Sequence, residues 1–175
     1  MSKPILVGYA TRYGSTQEVA EVVAGVLRDA GLNVDLRLLK DVRSLDGYAA
    51  VVMGAALYMY HWNKDALKFL PRHRDALSRL PVFVFSLGPI HDEPKEFEDA
   101  RAQLDADLAK EKWFRPVEIE MFAGKFDPAK LPFPVNKMAG KEPASDARDW
   151  EAIRAWATAL AGTLNSTALQ SSASA

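Results

Sequence analysis

The first stretch of the chain changes its hydrophobic period within a few residues. Ile5, Leu6 and Val7 begin an apolar run that stops near Ala10, and beyond Ser15 the residues Val19, Val22, Val23, Val26, Leu27 and Ala30 recur at helical spacing, with Gly31 behind them. A buried strand followed by an amphipathic helix is predicted. Val34 to Leu38 alternates apolar and charged residues, as a strand near a sheet edge does, whereas residues 49–56 are apolar throughout and read as a strand covered on both faces. Pro81 introduces a second run of the covered kind at 82–86, and Pro116 precedes an alternating edge strand at 117–123. Between them, Asn63 can cap a helix through Leu67 and Leu70 that Pro71 splits before Leu77 and Leu80. Asp92 and Pro94 open a helix with Phe97, Ala100, Leu104 and Leu108 on one face, and Asp149 opens the last, with Trp150, Ile153, Ala157, Leu160 and Leu164.

Two segments carry no period. Residues 124–148 hold Pro128, Pro132, Pro134 and Pro143 and leave room for little beyond a turn around 136–139. Residues 166–175 are small and polar and are expected to be a frayed tail behind a single domain at 1–165. Five strands alternating with helices predict an α/β fold, a parallel sheet with helices on both faces. Such sheets bind ligands beyond the carboxyl ends of their strands, where strand order reverses. The loops that matter are then 11–16, 55–62 and 86–91.

Thr11-Arg12-Tyr13-Gly14-Ser15-Thr16 stands at a strand-to-helix junction. The first helical turn there has amides without internal partners and the positive end of the helix dipole, so an anion suits it. A helix cap alone would use the same residue types. A dinucleotide fingerprint fails because only Gly8 and Gly14 are present, and a triphosphate loop fails because Ser15 follows Gly14 where lysine is needed. Hydroxyls and amides around one glycine fit a monophosphate, and with the two companion loops a mononucleotide with a flat ring. Tyr58, Tyr60 and Trp62, with Met59, could stack on such a ring or pack on the next helix, and Tyr58 is favoured because it lies nearest the strand end. Ser86-Leu87-Gly88-Pro89 offers a tight turn and backbone amides for a ring edge. Arg12 either pairs with the anion or faces solvent.

Composition narrows the chemistry. The 175 residues suffice for one sizeable core, and 49% hydrophobic with 26% charged residues is ordinary for a globular domain. The absence of cysteine removes disulfides, thiolate metal sites and cysteine nucleophiles, including the small phosphatases of similar shape. With 22 basic and 23 acidic residues the net charge is −1, which offers no field to attract nucleic acid. No apolar run approaches the ~20 residues of a membrane span, and no signal peptide is visible, so a cytoplasmic protein is expected, with peripheral membrane contact and a homodimer both left open. His61, His73 and His91 lack metal-ligand spacing, so no metal is expected. His73 reads as solvated between Arg72 and Arg74, while His91 follows the Gly88 loop and has a claim to lie near the active centre. A receiver domain would need acids where Ala10 and Gly54 stand, and Gly-x-Ser-x-Gly is absent.

Thr11 to Thr16 resembles the T-x-[ST]-G-x-T loop of the flavodoxin family, with Tyr13 at the position of a hydroxyl residue. Thr11-Arg12-x-Gly14, Gly54-Ala55-Ala56 with Tyr58 after it, Trp113-x-Arg115-Pro116, Ala123-Gly124 and Asp149-Trp150 are similar to the branch that contains the menaquinone-dependent protoporphyrinogen IX dehydrogenases. The resemblance implies a three-layer fold with strand order 2-1-3-4-5 and FMN as cofactor. It implies flavin contacts from Thr11, Arg12, Tyr13, Gly14, Ser15 and Thr16, from Ala55, Ala56, Leu57, Tyr58 and Met59, and from Ser86, Leu87, Gly88 and Pro89. The branch carries a long basic, aromatic insertion before its last helix, linked with membrane association and quinone access; residues 124–148 are shorter, and Lys125, Lys130, Lys137 and Lys141 are diluted by prolines and acids.

Flavodoxins proper are acidic one-electron carriers with a glycine in the loop after strand three, whose peptide can turn toward the reduced flavin. This chain is nearly neutral, and 55–62 has no glycine, so such a turn would be costly. A two-electron FMN oxidoreductase passing electrons to a quinone-type acceptor is the expected activity, with the catalysis borne by the flavin. A one-electron carrier serving redox partners and a nucleotide-binding module without catalysis are the alternatives.

Overall fold

The computed structural model describes residues 2–139 and 141–174. Strand β1 (Ile5–Tyr9) lies in the middle of the sheet, parallel to β2 (Val34–Leu38) on one side and to β3 (Ala50–Tyr58) on the other. Beyond β3 come β5 (Val82–Leu87) and β6 (Glu118–Phe122), both parallel, so the long strands run β2-β1-β3-β5-β6. This is the expected order 2-1-3-4-5, because β5 and β6 are the fourth and fifth strands read from the sequence. The sixth strand, β4 (His61–Trp62), is a two-residue antiparallel addition to β3.

Alternation sorts the strand residues between two cores. Ile5, Val7, Tyr9, Val52, Phe83 and Phe85 meet α1 (Ser15–Asp29) and α6 (Trp150–Ala173), through Val19, Val23, Leu27, Ile153, Trp156 and Leu160. Leu6, Val51, Met53, Val82 and Val84 face the other way, toward α2 (Lys64–Arg72), α3 (Arg74–Leu77) and α4 (Pro94–Leu108), through Phe69, Leu70, Leu77 and Leu104. Both faces of the middle strands are covered, which explains their unbroken apolar runs. Gly54 is required by this packing. The ring of Phe85 occupies the place where a side chain would begin, so no Cβ fits there. Asn63 caps α2 by accepting from the Asp65 amide at 2.8 Å, and the helix divides in two after Pro71 as expected.

Four features depart from the sequence pattern. Strand β3 continues past Ala56, the end of the expected apolar run, through Leu57 and Tyr58, because these two gain cross-strand partners in Trp62 and His61. His73 is buried, not solvated: its ring centroid stands 4.4 Å from that of Phe69 and its Nε2 3.2 Å from the Val42 carbonyl oxygen, and burial lowers its pKa. Residues 124–148 contain β7 (Lys125–Phe126) paired antiparallel with β8 (Ser145–Asp146), and the short helix α5 (Val135–Met138). Helix α6 runs on to Ala173 through most of the expected tail. There the Thr167 and Ser174 hydroxyls bond back to the carbonyls of Thr163 and Gln170, which keeps small polar residues compatible with a helix. Ala175 lies outside the described residues.

Candidate functional site

Strand order reverses on either side of β1, between β2 and β3, and the loop leaving β1 is 11–16. Gly14 precedes the first residue of α1 at φ 93°, a left-handed conformation that favours glycine. Its N–H donates to Thr11 Oγ1 at 2.8 Å, so the Thr11 hydroxyl closes the loop on itself. Ser15, Thr16 and Gln17 supply the first-turn amides, which have no carbonyl of their own helix to bond. Thr16 is buried beneath them. Arg12 neither pairs with a carboxylate nor stands clear of the protein. Its guanidinium carbon lies 4.3 Å from the ring centroid of Tyr58 and 5.5 Å from that of Tyr13. The two tyrosine rings meet edge to face at 6.2 Å. The Tyr13 hydroxyl is buried, and the side chains that face it are those of Tyr58 and Arg12. Burial, with the neighbouring Tyr58 adding to it, pushes its pKa above the ordinary phenol value.

Tyr58 is therefore beside the phosphate-type loop, and the β3–β4 hairpin carries it there. The turn is Met59-Tyr60, at φ 50° and 70°, with side chains 62% and 76% exposed. Two-residue hairpins of this kind need positive φ at both positions and normally take Asn or Gly. Here β4 imposes it on larger residues. Trp62, one of three aromatics considered for a ring contact, is instead core: it is buried and its indole N–H donates to the Ala55 carbonyl at 3.2 Å.

The hairpin is held from α4 by Asp107, a buried carboxylate that the sequence reading missed. It accepts from the Trp62 amide at 2.8 Å and from Lys110 Nζ at 2.8 Å, and His61 Nδ1 stands 3.2 Å away. Burial alone would raise its pKa; the hydrogen bonds from Lys110, Trp62 and His61 outweigh burial and hold it below the usual carboxylate range. A signal was present, since Ala100, Leu104, Asp107 and Leu108 share one helical stripe and an acid in a buried stripe needs a partner.

The loop after β5 spends its donors inside the fold. Ser86 and Leu87 belong to β5 itself, the Gly88 N–H donates to the Phe122 carbonyl at 3.1 Å, and Pro89 has none. The amides of Ile90 and His91 both donate to Glu96 Oε2, at 3.0 and 3.1 Å. The supply of ring-edge amides expected at 86–89 is thus consumed by the sheet. His91 joins this loop to residues 124–148, with Nδ1 2.6 Å from Glu96 and Nε2 3.3 Å from Glu142, and its pKa is raised chiefly by the hydrogen bond with Glu96. Ser145 Oγ donates to the Ile90 carbonyl at 3.1 Å. Arg148, another residue not foreseen, donates to the Ser15 carbonyl at 3.2 Å and to Glu18, is bidentate on Asp146 at 2.8 and 2.7 Å, and lies over Trp150. The irregular segment is thereby fastened both to the 88–91 loop and to the first turn of α1.

Two surface grooves lie away from these loops. One is lined by Leu108, Phe114, Arg115, Pro116 and Ile119 near the start of β6, and the other by Val26, Ala30, Arg154, Ala161 and Asn165 between α1 and α6. Among the described residues no group of three or more His, Cys, Asp or Glu could hold a metal ion, and no helix is long and apolar enough to cross a membrane.

The model of the flavodoxin domain matches residues 6–139. The chain belongs to the flavodoxin family. Protoporphyrinogen IX dehydrogenase [quinone] of Escherichia coli K12 is 24% identical over 173 residues, covering 89% of this chain and 93% of that protein. A point mutant of flavodoxin from Pseudomonas aeruginosa superposes with TM-score 0.56 at 19% identity, over 93% of this chain and 99% of that one. Rubredoxin oxygen:oxidoreductase of Desulfovibrio gigas superposes with TM-score 0.52 at 15% identity, over 94% of this chain and 37% of that one. These superpositions show the fold. FMN is the cofactor that membership of the flavodoxin family assigns, and the residues fit it. The 11–16 loop presents hydroxyl, amide and guanidinium donors around the first turn of α1, the donor set that a phosphate monoester needs.

Proposed function

We propose that this flavodoxin-family protein is an FMN-dependent oxidoreductase that takes two electrons at a time from a reduced substrate of the protoporphyrinogen type and passes them to a quinone-type acceptor. The single observation that carries the reading is the β3–β4 hairpin. Its turn is clamped by the pairs Leu57–Trp62 and Tyr58–His61 and, from behind, by Asp107. A clamped turn cannot readily change its backbone as the flavin changes charge, which disfavours the half-reduced form a one-electron carrier needs. The absence of glycine from 55–62 is not itself the reason, because Met59 and Tyr60 already adopt positive φ. Net charge −1 and the relationship to the E. coli dehydrogenase support the same reading.

In this reading Thr11, Arg12, Tyr13, Gly14, Ser15 and Thr16 hold the phosphate. Ala56, Leu57, Tyr58 and Met59 form one wall of the ring site, with Ala55, Ser86, Leu87, Gly88 and Pro89 behind it. FMN supplies the redox chemistry when bound, and the protein supplies position and electrostatics. Tyr58 offers an aromatic face, and exposed Met59 and Tyr60 border the site with apolar surface for a flat substrate.

The visible spectrum of the purified protein, or of protein mixed with FMN, is the first test, and a colourless protein that takes up no FMN sinks the reading. Protoporphyrinogen oxidation with a quinone acceptor is the second. Absence of turnover would remove the substrate and leave the cofactor. A reductive titration that accumulates a large, long-lived half-reduced flavin would restore the one-electron carrier.

A further inference from the structure

We propose that Arg148 is a positioning residue that couples cofactor binding at the first turn of α1 to the order of the irregular segment 141–148. The inference rests on the FMN reading and concerns a side chain 133 positions along the chain from the turn it serves. That side chain is only 3% exposed. Its Nε and Nη2 hold the two oxygens of Asp146 at 2.8 and 2.7 Å, and its guanidinium carbon stands 4.7 Å from the Trp150 ring centroid. Nη1 crosses to α1, where it donates to the Ser15 carbonyl at 3.2 Å and to Glu18.

Two carboxylates, Asp146 and Glu18, already balance the guanidinium charge, so Arg148 acts by holding backbone and not as a counter-ion for a ligand. The Ser15 carbonyl and the Thr16 N–H are the two ends of one rigid peptide plane. Fixing the oxygen therefore fixes the direction of the Thr16 amide, a first-turn donor with no partner in its own helix. At its other end the segment closes on the loop after β5. Ser145 Oγ donates to the Ile90 carbonyl at 3.1 Å, the Ala147 amide to the Gly124 carbonyl at 3.1 Å, and the Gly124 amide to the Pro89 carbonyl at 2.6 Å. Residues 145–148 thus bridge the 88–91 loop and α1, and Arg148 is the fastening on the α1 side. A ligand that needs the Thr16 amide in place favours the fastened segment, and by linkage the fastened segment favours the ligand by the same factor. The task needs a planar fork, because a lysine cannot hold Asp146 bidentately and reach Ser15 as well.

The test uses the full chain freed of flavin as wild type, Arg148→Lys and Arg148→Met; methionine retains an unbranched stem over Trp150. Asp146 and Glu18 are 41% and 52% exposed and can turn to water in both variants. FMN affinity is measured by quenching of flavin fluorescence, and hydrogen exchange of 141–148 with and without saturating FMN. In the wild type FMN should slow exchange of the Ala147 amide by about fivefold or more, and both variants should lose FMN affinity by about that factor. In both, exchange should be faster than in the wild type and indifferent to FMN. Wild-type affinity in Arg148→Lys would overturn the proposal by showing that charge suffices. Faster exchange with unchanged FMN affinity would overturn it by leaving Arg148 a merely structural role, as would FMN-dependent protection that persists in Arg148→Met. A wild type that binds FMN without any change at Ala147 overturns it whether or not the variants fold. If the wild type, titrated first, takes up no FMN, the cofactor reading falls and this inference with it.

Discussion

Replacing Asp107 by alanine should loosen the hairpin that carries Tyr58. The carboxylate is 2% exposed and is the acceptor for the Trp62 amide at 2.8 Å, in a strand only two residues long. Losing a hydrogen bond from a buried amide to a charged acceptor costs about 1.5–3 kcal/mol. The contacts with Lys110 and His61 add little, because those side chains are 65% and 69% exposed and such pairs contribute about 0–1 kcal/mol. For a chain of this size each kcal/mol moves the melting temperature by roughly 2–4 °C, so the variant should melt roughly 3–12 °C lower. Asp107→Asn retains an acceptor oxygen but no charge and should fall between. The pH dependence has a definite sign. The folded pKa of Asp107 lies below its unfolded value of about 3.9, so its stabilisation is fully present above that value and is lost as pH falls through the folded pKa. The gap between wild type and Asp107→Ala should therefore persist through neutral pH and close only in acid. FMN binding should weaken in parallel. Melting within about 1 °C of wild type at pH 7 would refute the energetic argument. A destabilised variant with unaltered FMN affinity would instead sever the hairpin from the site.

Two further perturbations test the fold around the site. Gly54→Ala must displace the Phe85 ring and should cost about 1–3 kcal/mol or more in urea denaturation, whereas Gly25→Ala, in α1 with no atom near its added methyl, should gain about 0.5–1 kcal/mol. Equal effects at the two glycines would contradict the packing described. His91, facing Glu96 and Glu142 with Glu93 nearby, has a raised folded pKa, so its stabilising contribution is complete below the unfolded value of about 6.5 and disappears as pH rises through the folded value. Hydrogen exchange in 141–147 should accelerate over that rise in the wild type and be pH-insensitive, after correction for intrinsic exchange, in His91→Gln.

The parts legible in the chain are those whose cause is local. Val51, Val52, Val82 and Val84 read as central strands because burial on both faces leaves no polar position, and Gly31 and Pro71 punctuate helices by their own backbone chemistry. Thr11, Gly14 and Thr16 could likewise be read as an anion loop, since a helix start needs only a few adjacent residues. What escaped has its cause elsewhere in the chain. Nothing in Met59-Tyr60 announces a two-residue turn; it exists because Trp62 bonds Asp107, 45 residues away. Residues 124–148 look structureless because their proline-broken pattern has no period, yet Arg148 fastens them to Ser15 across 133 positions. Each of these ties joins a polar side chain to a backbone group, and periodicity registers only apolar faces. A charged residue at a buried helical position, as Asp107 is between Leu104 and Leu108, is the trace such a tie leaves, because an acid is stable there only if something distant donates to it.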